Sequence, residues 1–122
     1  MFRLDFMMRS LRELNPLLEG YYATYDGKII SRKNKVLKQF RRNKQSRCPY
    51  LSISVWDKTA GFARQFFVHR LVAYQYCDLN IEDVNGLVVN HIDGNPHNNC
   101  AKNLEWVTQK ENVLKYHSNV IL

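Results

Sequence analysis

The spacing of apolar residues changes period several times along the chain, and each change predicts an element. Leu4, Met7, Met8, Leu11 and Leu14 fall at helical intervals, which predicts a short helix within residues 1–18 that Asn15-Pro16 ends. Tyr21 to Tyr25 and Lys28 to Ser31 flank Asp26-Gly27, the signature of a β-hairpin closed by a type I′ turn. Val36 to Phe40 is a further candidate strand. Tyr50 to Trp56 and Phe62 to Val68 alternate on either side of a turn at Ala60-Gly61. Helical spacing returns from His69 to Cys77, with Leu71, Val72, Tyr74 and Tyr76 on the apolar face, and Asp78 to Gly86 reads as a linker.

The last third carries the densest local information. Leu87-Val88-Val89 predicts a buried strand that ends in Asn90-His91, and Asp93-Gly94-Asn95-Pro96 then marks a turn. The chain stays polar through Cys100, and Leu104 to Val107 predicts a second short strand. Thr108-Gln109-Lys110-Glu111 is a capping box, so a helix is predicted from Gln109 to about His117. Strand, long polar loop, strand and helix make a ββα unit. Folded, that unit brings Asn90, His91, Asn103 and Asn112 into one cleft. One imidazole among several oxygen donors suits a hard divalent cation and an activated water, the equipment for phosphodiester hydrolysis.

The same segment resembles the HNH (ββα-metal) nuclease motif of phage and intron homing endonucleases. Three pieces match in order: Val-Asn-His-Ile-Asp-Gly-Asn at 89–95, Asn-Leu-Glu-Trp at 103–106, and Glu-Asn at 111–112. His69-Arg70-Leu71-Val72-Ala73 is also similar to the segment before the nuclease core in that family, and Tyr22 to Arg32 with Tyr50 to Val55 is similar to its N-terminal β module. The resemblance implies that His91 is the general base and that Asn103 orients the loop and the His91 ring. It implies that Asn90 and Asn112 hold one Mg²⁺ or Mn²⁺. Relatives often carry Asp where this chain has Asn90, which makes Asp93 an additional ligand candidate; His117 is another. The implied products are a 5′-phosphate and a 3′-hydroxyl, with one active site nicking one strand.

Charge adds the partner. The 122 residues carry a formal net charge of +7, which points to a polyanion. Lys28, Arg32, Lys33, Lys35, Lys38, Arg41, Arg42, Lys44 and Arg47 fall between residues 28 and 47, where no Asp or Glu occurs. A solvated face usually mixes signs, so this bias predicts phosphate contact with double-stranded DNA, joined by His69 and Arg70. The three cysteines, Cys48, Cys77 and Cys100, have no zinc or disulfide spacing. No apolar run is long enough to cross a membrane, and charges interrupt the N-terminal apolar residues. The expectation is a cytoplasmic protein of a bacterial host, encoded by a phage, acting as a monomer or homodimer.

The predicted fold class is α+β. Residues 1–67 form an N-terminal helix and a basic antiparallel β module for DNA binding, and residues 68–122 the ββα-metal nuclease core. Two alternatives stay open: a non-catalytic DNA-binding protein on the same scaffold, for which Asn90 speaks, and an RNA-binding or RNA-cleaving protein whose tyrosines stack bases.

Overall fold

The computed structural model describes residues 8–41, 48–78 and 86–111. Its elements are α1 (Leu11–Leu14), a 3₁₀ turn (Pro16–Leu18), β1 (Tyr22–Ala23), β2 (Ile29–Ile30), β3 (Phe40–Arg41), β4 (Leu51–Asp57), β5 (Phe62–Phe67), α2 (Val68–Tyr76), β6 (Leu87–His91), a second 3₁₀ turn (Ala101–Asn103) and β7 (Leu104–Thr108). The strands pair antiparallel as β1–β2, β3–β4–β5 and β6–β7. This is the α+β architecture that the periodicity predicts. Among the described residues no helix is long and apolar enough to cross a membrane.

α2 is the centre of the packing. Val68, Leu71, Val72 and Ala73 are buried on it, and it touches α1, β1, β4, β5, β6 and β7. Leu11, Leu18, Ala23 and Ile29 from the first module join Ile53, Val55, Val89, Ala101 and Leu104 in the same apolar cluster. Burying each Leu, Ile or Val in such a cluster contributes roughly 1.5–3 kcal/mol. In β4 the inward residues are Ile53 and Val55, while Ser54 and Trp56 face out.

Polar side chains tie α2 to both modules. The buried Gln75 amide accepts from the Ala23 N–H at 3.0 Å and donates to the Ala23 carbonyl at 2.6 Å. It thereby pairs with β1 as a neighbouring strand does. The Trp106 indole N–H of β7 donates to the Ala73 carbonyl at 3.1 Å, and the Arg70 guanidinium lies 5.4 Å from the Trp106 ring centre.

Two local expectations are corrected. The N-terminal helix is only four residues long, because Ser10 is extended and caps it by accepting from the Arg12 N–H. Asn15 ends it, as its place before Pro16 predicts; residues 1–7 lie outside the described residues. The Asp26-Gly27 hairpin does not close through a type I′ turn. Gly27 has φ +97°, while Asp26 is not among the positive-φ residues. The Gly27 N–H bonds the Thr24 carbonyl at 3.1 Å and the Thr24 N–H bonds the Lys28 carbonyl at 2.8 Å. That is a one-residue-longer turn ending in a left-handed glycine.

Candidate functional site

β6 and β7 run antiparallel in a register that sets Asn90 opposite Glu105 and His91 opposite Leu104. Successive strand residues point to opposite faces. Val89 and His91 are therefore buried, and Val88 and Asn90 only half-buried. The Asn90 Nδ2 donates to Glu105 Oε1 at 3.2 Å. Glu105 is a residue that the sequence reading passed over.

The His91 ring turns inward. Its Nε2 lies 2.8 Å from Asn99 Oδ1. Tyr50 stacks on it at 5.8 Å between centres and 12° between planes, and His69 lies 5.2 Å away. Burial holds His91 below the usual imidazole range, against the opposing pull of the Asn99 hydrogen bond and the Asp93 charge. The ring is therefore neutral near pH 7, the form that can accept a proton. His69 is more deeply buried, and burial, with the neighbouring His91 and Arg70, pushes it down to about 3. The structure thus sets His69 inside a buried ring cluster with Tyr50 and Phe67.

The loop from Ile92 to Cys100 is locked by side chains. Asn103 Oδ1 accepts from the Asp93 N–H at 3.0 Å, and its Nδ2 donates to Asp93 Oδ1 and the Asn98 carbonyl, both at 2.9 Å. Its carbonyl receives the Ile92 N–H. Asn103 therefore ties the loop together, while the contact to the His91 ring comes from Asn99. Asp93 Oδ1 also accepts from the Asn95 N–H and Oδ2 from Asn98. These bonds, that of Asn98 first, hold the Asp93 carboxyl below its usual range. Three donors thus tie the exposed Asp93 carboxylate to the loop, two on Oδ1 and one on Oδ2.

The other end of the ββα unit forms as predicted where it is described. The Glu111 N–H donates to Thr108 Oγ1 at 3.2 Å, and Glu111 Oε1 accepts from the Thr108 hydroxyl at 3.0 Å and N–H at 3.4 Å. Residues 109–111 are helical. Asn112 and His117 lie outside the described residues, as do Arg42, Lys44 and Arg47.

The described basic residues of the 28–41 stretch are displayed, whereas Arg70 is half-buried against Trp106. Ile30 bridges Val36 across a tight turn in which Asn34 has φ +63°. Arg32, Lys33 and Lys35 are exposed on that turn, with Lys28, Lys38 and Arg41 exposed around it. Lys28 pairs with Asp26 at 3.7 Å and Arg32 lies over Tyr21. The basic segment ends where the site begins: Tyr50 stacks on His91, and the Pro49 carbonyl accepts from His97 Nε2 at 2.9 Å.

For a divalent cation the described part of the site offers the Asn90 amide oxygen, with the Glu105 carboxylate on the other side of that amide. Oxygen donors fit a hard cation shared between protein and phosphate oxygens, the usual habit of Mg²⁺. Among the described residues no three His, Cys, Asp or Glu side chains stand together to hold a metal.

Comparison with known proteins agrees with this reading of the fold. Residues 66–114 match the family described as HNH endonuclease. DNA endonuclease I-HmuI of Bacillus phage SP01 is 55% identical over 53 residues, covering 43% of this chain and 29% of that protein. The uncharacterized HNH endonuclease L245 of Acanthamoeba polyphaga mimivirus is 40% identical over 99 residues, 80% of this chain and 27% of that protein. A solved structure titled DNA binding and cleavage by the HNH homing endonuclease I-HmuI superposes with a TM-score of 0.66 at 39% identity, covering 84% of this chain and 54% of that one. The chain thus spans between about a quarter and about half of these proteins. The matched segment and the shared fold thus liken residues 66–114 to an HNH endonuclease domain of the kind carried by the HNH homing endonuclease I-HmuI.

Proposed function

We propose that this protein is a divalent-metal-dependent DNA endonuclease that hydrolyses one phosphodiester per active site and leaves a 5′-phosphate and a 3′-hydroxyl. The observation that carries it is His91: a neutral imidazole fixed by Asn99 and Tyr50 at the end of β6, one residue from Asn90. A general base needs both the free lone pair and the fixed position.

Asn90, with Asn112, is the proposed holder of Mg²⁺ or Mn²⁺. Such an ion, when bound, supplies Lewis-acid stabilisation of charge on the phosphate and leaving oxygens. Glu105 sets a negative charge against the Asn90 amide, which offsets the absence of a carboxylate at Asn90 itself. His91 takes a proton from water as the water oxygen bonds to phosphorus. The bond from phosphorus to O3′ breaks, and the 3′ oxygen takes up a proton from solvent. Asn103 holds the loop that carries Asp93 to Asn98 beside the scissile phosphate.

The proposed partner is double-stranded DNA, gripped by Lys28, Arg32, Lys33, Lys35, Lys38 and Arg41, with Arg42, Lys44 and Arg47 in the same segment. Pro49 and Tyr50, which follow this segment in the chain, contact His97 and His91, and the proposed path of the duplex runs from the basic surface to His91. The proposed division of labour is DNA gripping by residues 1–67 and cleavage by residues 68–122.

A supercoiled-plasmid assay with Mg²⁺, with Mn²⁺ and with EDTA tests the function. Metal-dependent open circles carrying 5′-phosphate ends support it. Tight DNA binding with no cleavage in either metal, on DNA containing the target site, favours the non-catalytic reading, for which the neutral amide at Asn90 is the supporting observation.

A further inference from the structure

Among the described residues, Tyr50, His69 and Asn99 meet the His91 ring, and of these Asn99 makes the directional contact. Tyr50 and His69 offer ring faces and edges, whereas Asn99 offers an oxygen at 2.8 Å to Nε2. Asn99 is 4% exposed, and its own Nδ2 has no hydrogen-bond partner among the described residues. Hydrogen bonds from the amide nitrogen therefore do not hold this side chain in place.

Packing from the N-terminal hairpin does. Gly27 lies against Asn99 so closely that a Cβ on it would stand 2.9 Å from the Asn99 carbonyl oxygen and 3.2 Å from its Cβ. The turn is itself tied down on both sides. The Ala101 N–H donates to the Tyr25 carbonyl at 2.8 Å, and Gln39 Nε2 donates to the Gly27 carbonyl at 2.8 Å.

We infer that Asn99 is a positioning residue for His91, and that the Gly27 turn of the first module is the brace that holds Asn99 against the ring. Asn99 Oδ1 accepts the Nε2 proton, which fixes one neutral tautomer and leaves the lone pair on Nδ1 to take the proton from water. The N-terminal module is then part of the catalytic apparatus as well as a DNA grip. The catalytic half of this inference rests on the proposed nuclease function; the tautomer half does not.

The test uses the full chain, labelled with ¹⁵N, without DNA or metal, and reads the His91 tautomer from its ring nitrogen shifts. Wild type, Asn99→Leu, Asn99→Asp, Gly27→Ala and Gly61→Ala are compared, with single-turnover cleavage and DNA affinity measured alongside. Gly61 has φ +79° but a Cβ there meets nothing within 4 Å. Gly61→Ala therefore reports the cost of left-handed strain alone. Wild type, Asn99→Asp and Gly61→Ala are expected to show a protonated Nε2. Asn99→Leu and Gly27→Ala are expected to show mixed tautomers and to cleave at least about tenfold more slowly at unchanged DNA affinity. A wild-type tautomer in Asn99→Leu, loss of it in Asn99→Asp, or identical behaviour of Gly27→Ala and Gly61→Ala overturns the inference. Wild-type protein that cuts nothing yet shows the Asn99-dependent tautomer overturns the nuclease function and leaves the positioning role standing.

Discussion

Asn90 and Glu105 face each other across the β6–β7 ladder, and the amide of the first donates to the carboxylate of the second at 3.2 Å. The charge missing from the Asn90 position is thus present one residue away in space. Glu105→Gln removes that charge and keeps the shape. It is expected to raise the Mg²⁺ concentration for half-saturation about tenfold, as loss of a supporting group behind a metal ligand does. Calorimetric Mg²⁺ titration in the presence of uncleavable duplex DNA checks this; an unchanged titration removes Glu105 from the site.

Gln75 satisfies both backbone groups of Ala23 from inside the core. Gln75→Ala leaves a buried N–H and loses the packing of the side chain. The expected loss of stability is about 3 kcal/mol, read as a lower denaturation midpoint in urea. A change below about 0.5 kcal/mol would mean water replaces the amide without cost.

His69 gives the stability a pH dependence with a definite sign. The folded state holds it neutral down to about 3, against an ordinary value of 6.5. Below 6.5 the unfolded chain takes up a proton that the folded chain refuses, so stability is full above about pH 6.5 and falls as pH drops toward 3. His91, shifted the same way, adds to the fall. His69→Phe keeps a ring in the cluster and is expected to flatten the midpoint between pH 7.5 and 5. An equally steep fall in the variant assigns the effect to another group.

The exposed basic turn predicts a salt dependence. Each phosphate contact contributes about −0.9 to the slope of log affinity against log salt. Lys33→Gln with Lys35→Gln is therefore expected to reduce the slope by about 1.8. An unchanged slope in filter binding means that this turn does not touch DNA.

What the sequence disclosed and what it hid divide along a physical line. β6, β7, α2 and the Thr108–Glu111 capping box depend on local periodicity and on neighbours within a few positions, and they were legible. So was the grouping of His91 and Asn103 around one loop. Asn99 was hidden, because its importance comes from the Gly27 turn that docks on it from the far end of the sequence; in its own loop it is one of several polar residues. Glu105 was hidden because its pairing with Asn90 exists only in one register of two strands. His69 read as a surface contact because a histidine in a basic protein gives no sign of burial. Asp93, the obvious carboxylate, accepts from Asn95, Asn98 and Asn103, a network invisible without the fold of the loop.

The most direct measurement is single-turnover cleavage of duplex DNA containing the target site by wild type and His91→Ala, with DNA affinity measured in parallel. The expected result is cleavage by wild type with Mg²⁺ or Mn²⁺, and a loss of at least about 10²-fold in His91→Ala at unchanged affinity, the size of a general-base contribution. Equal cleavage rates in the two proteins contradict the assignment of His91 as the base on which the proposed chemistry stands.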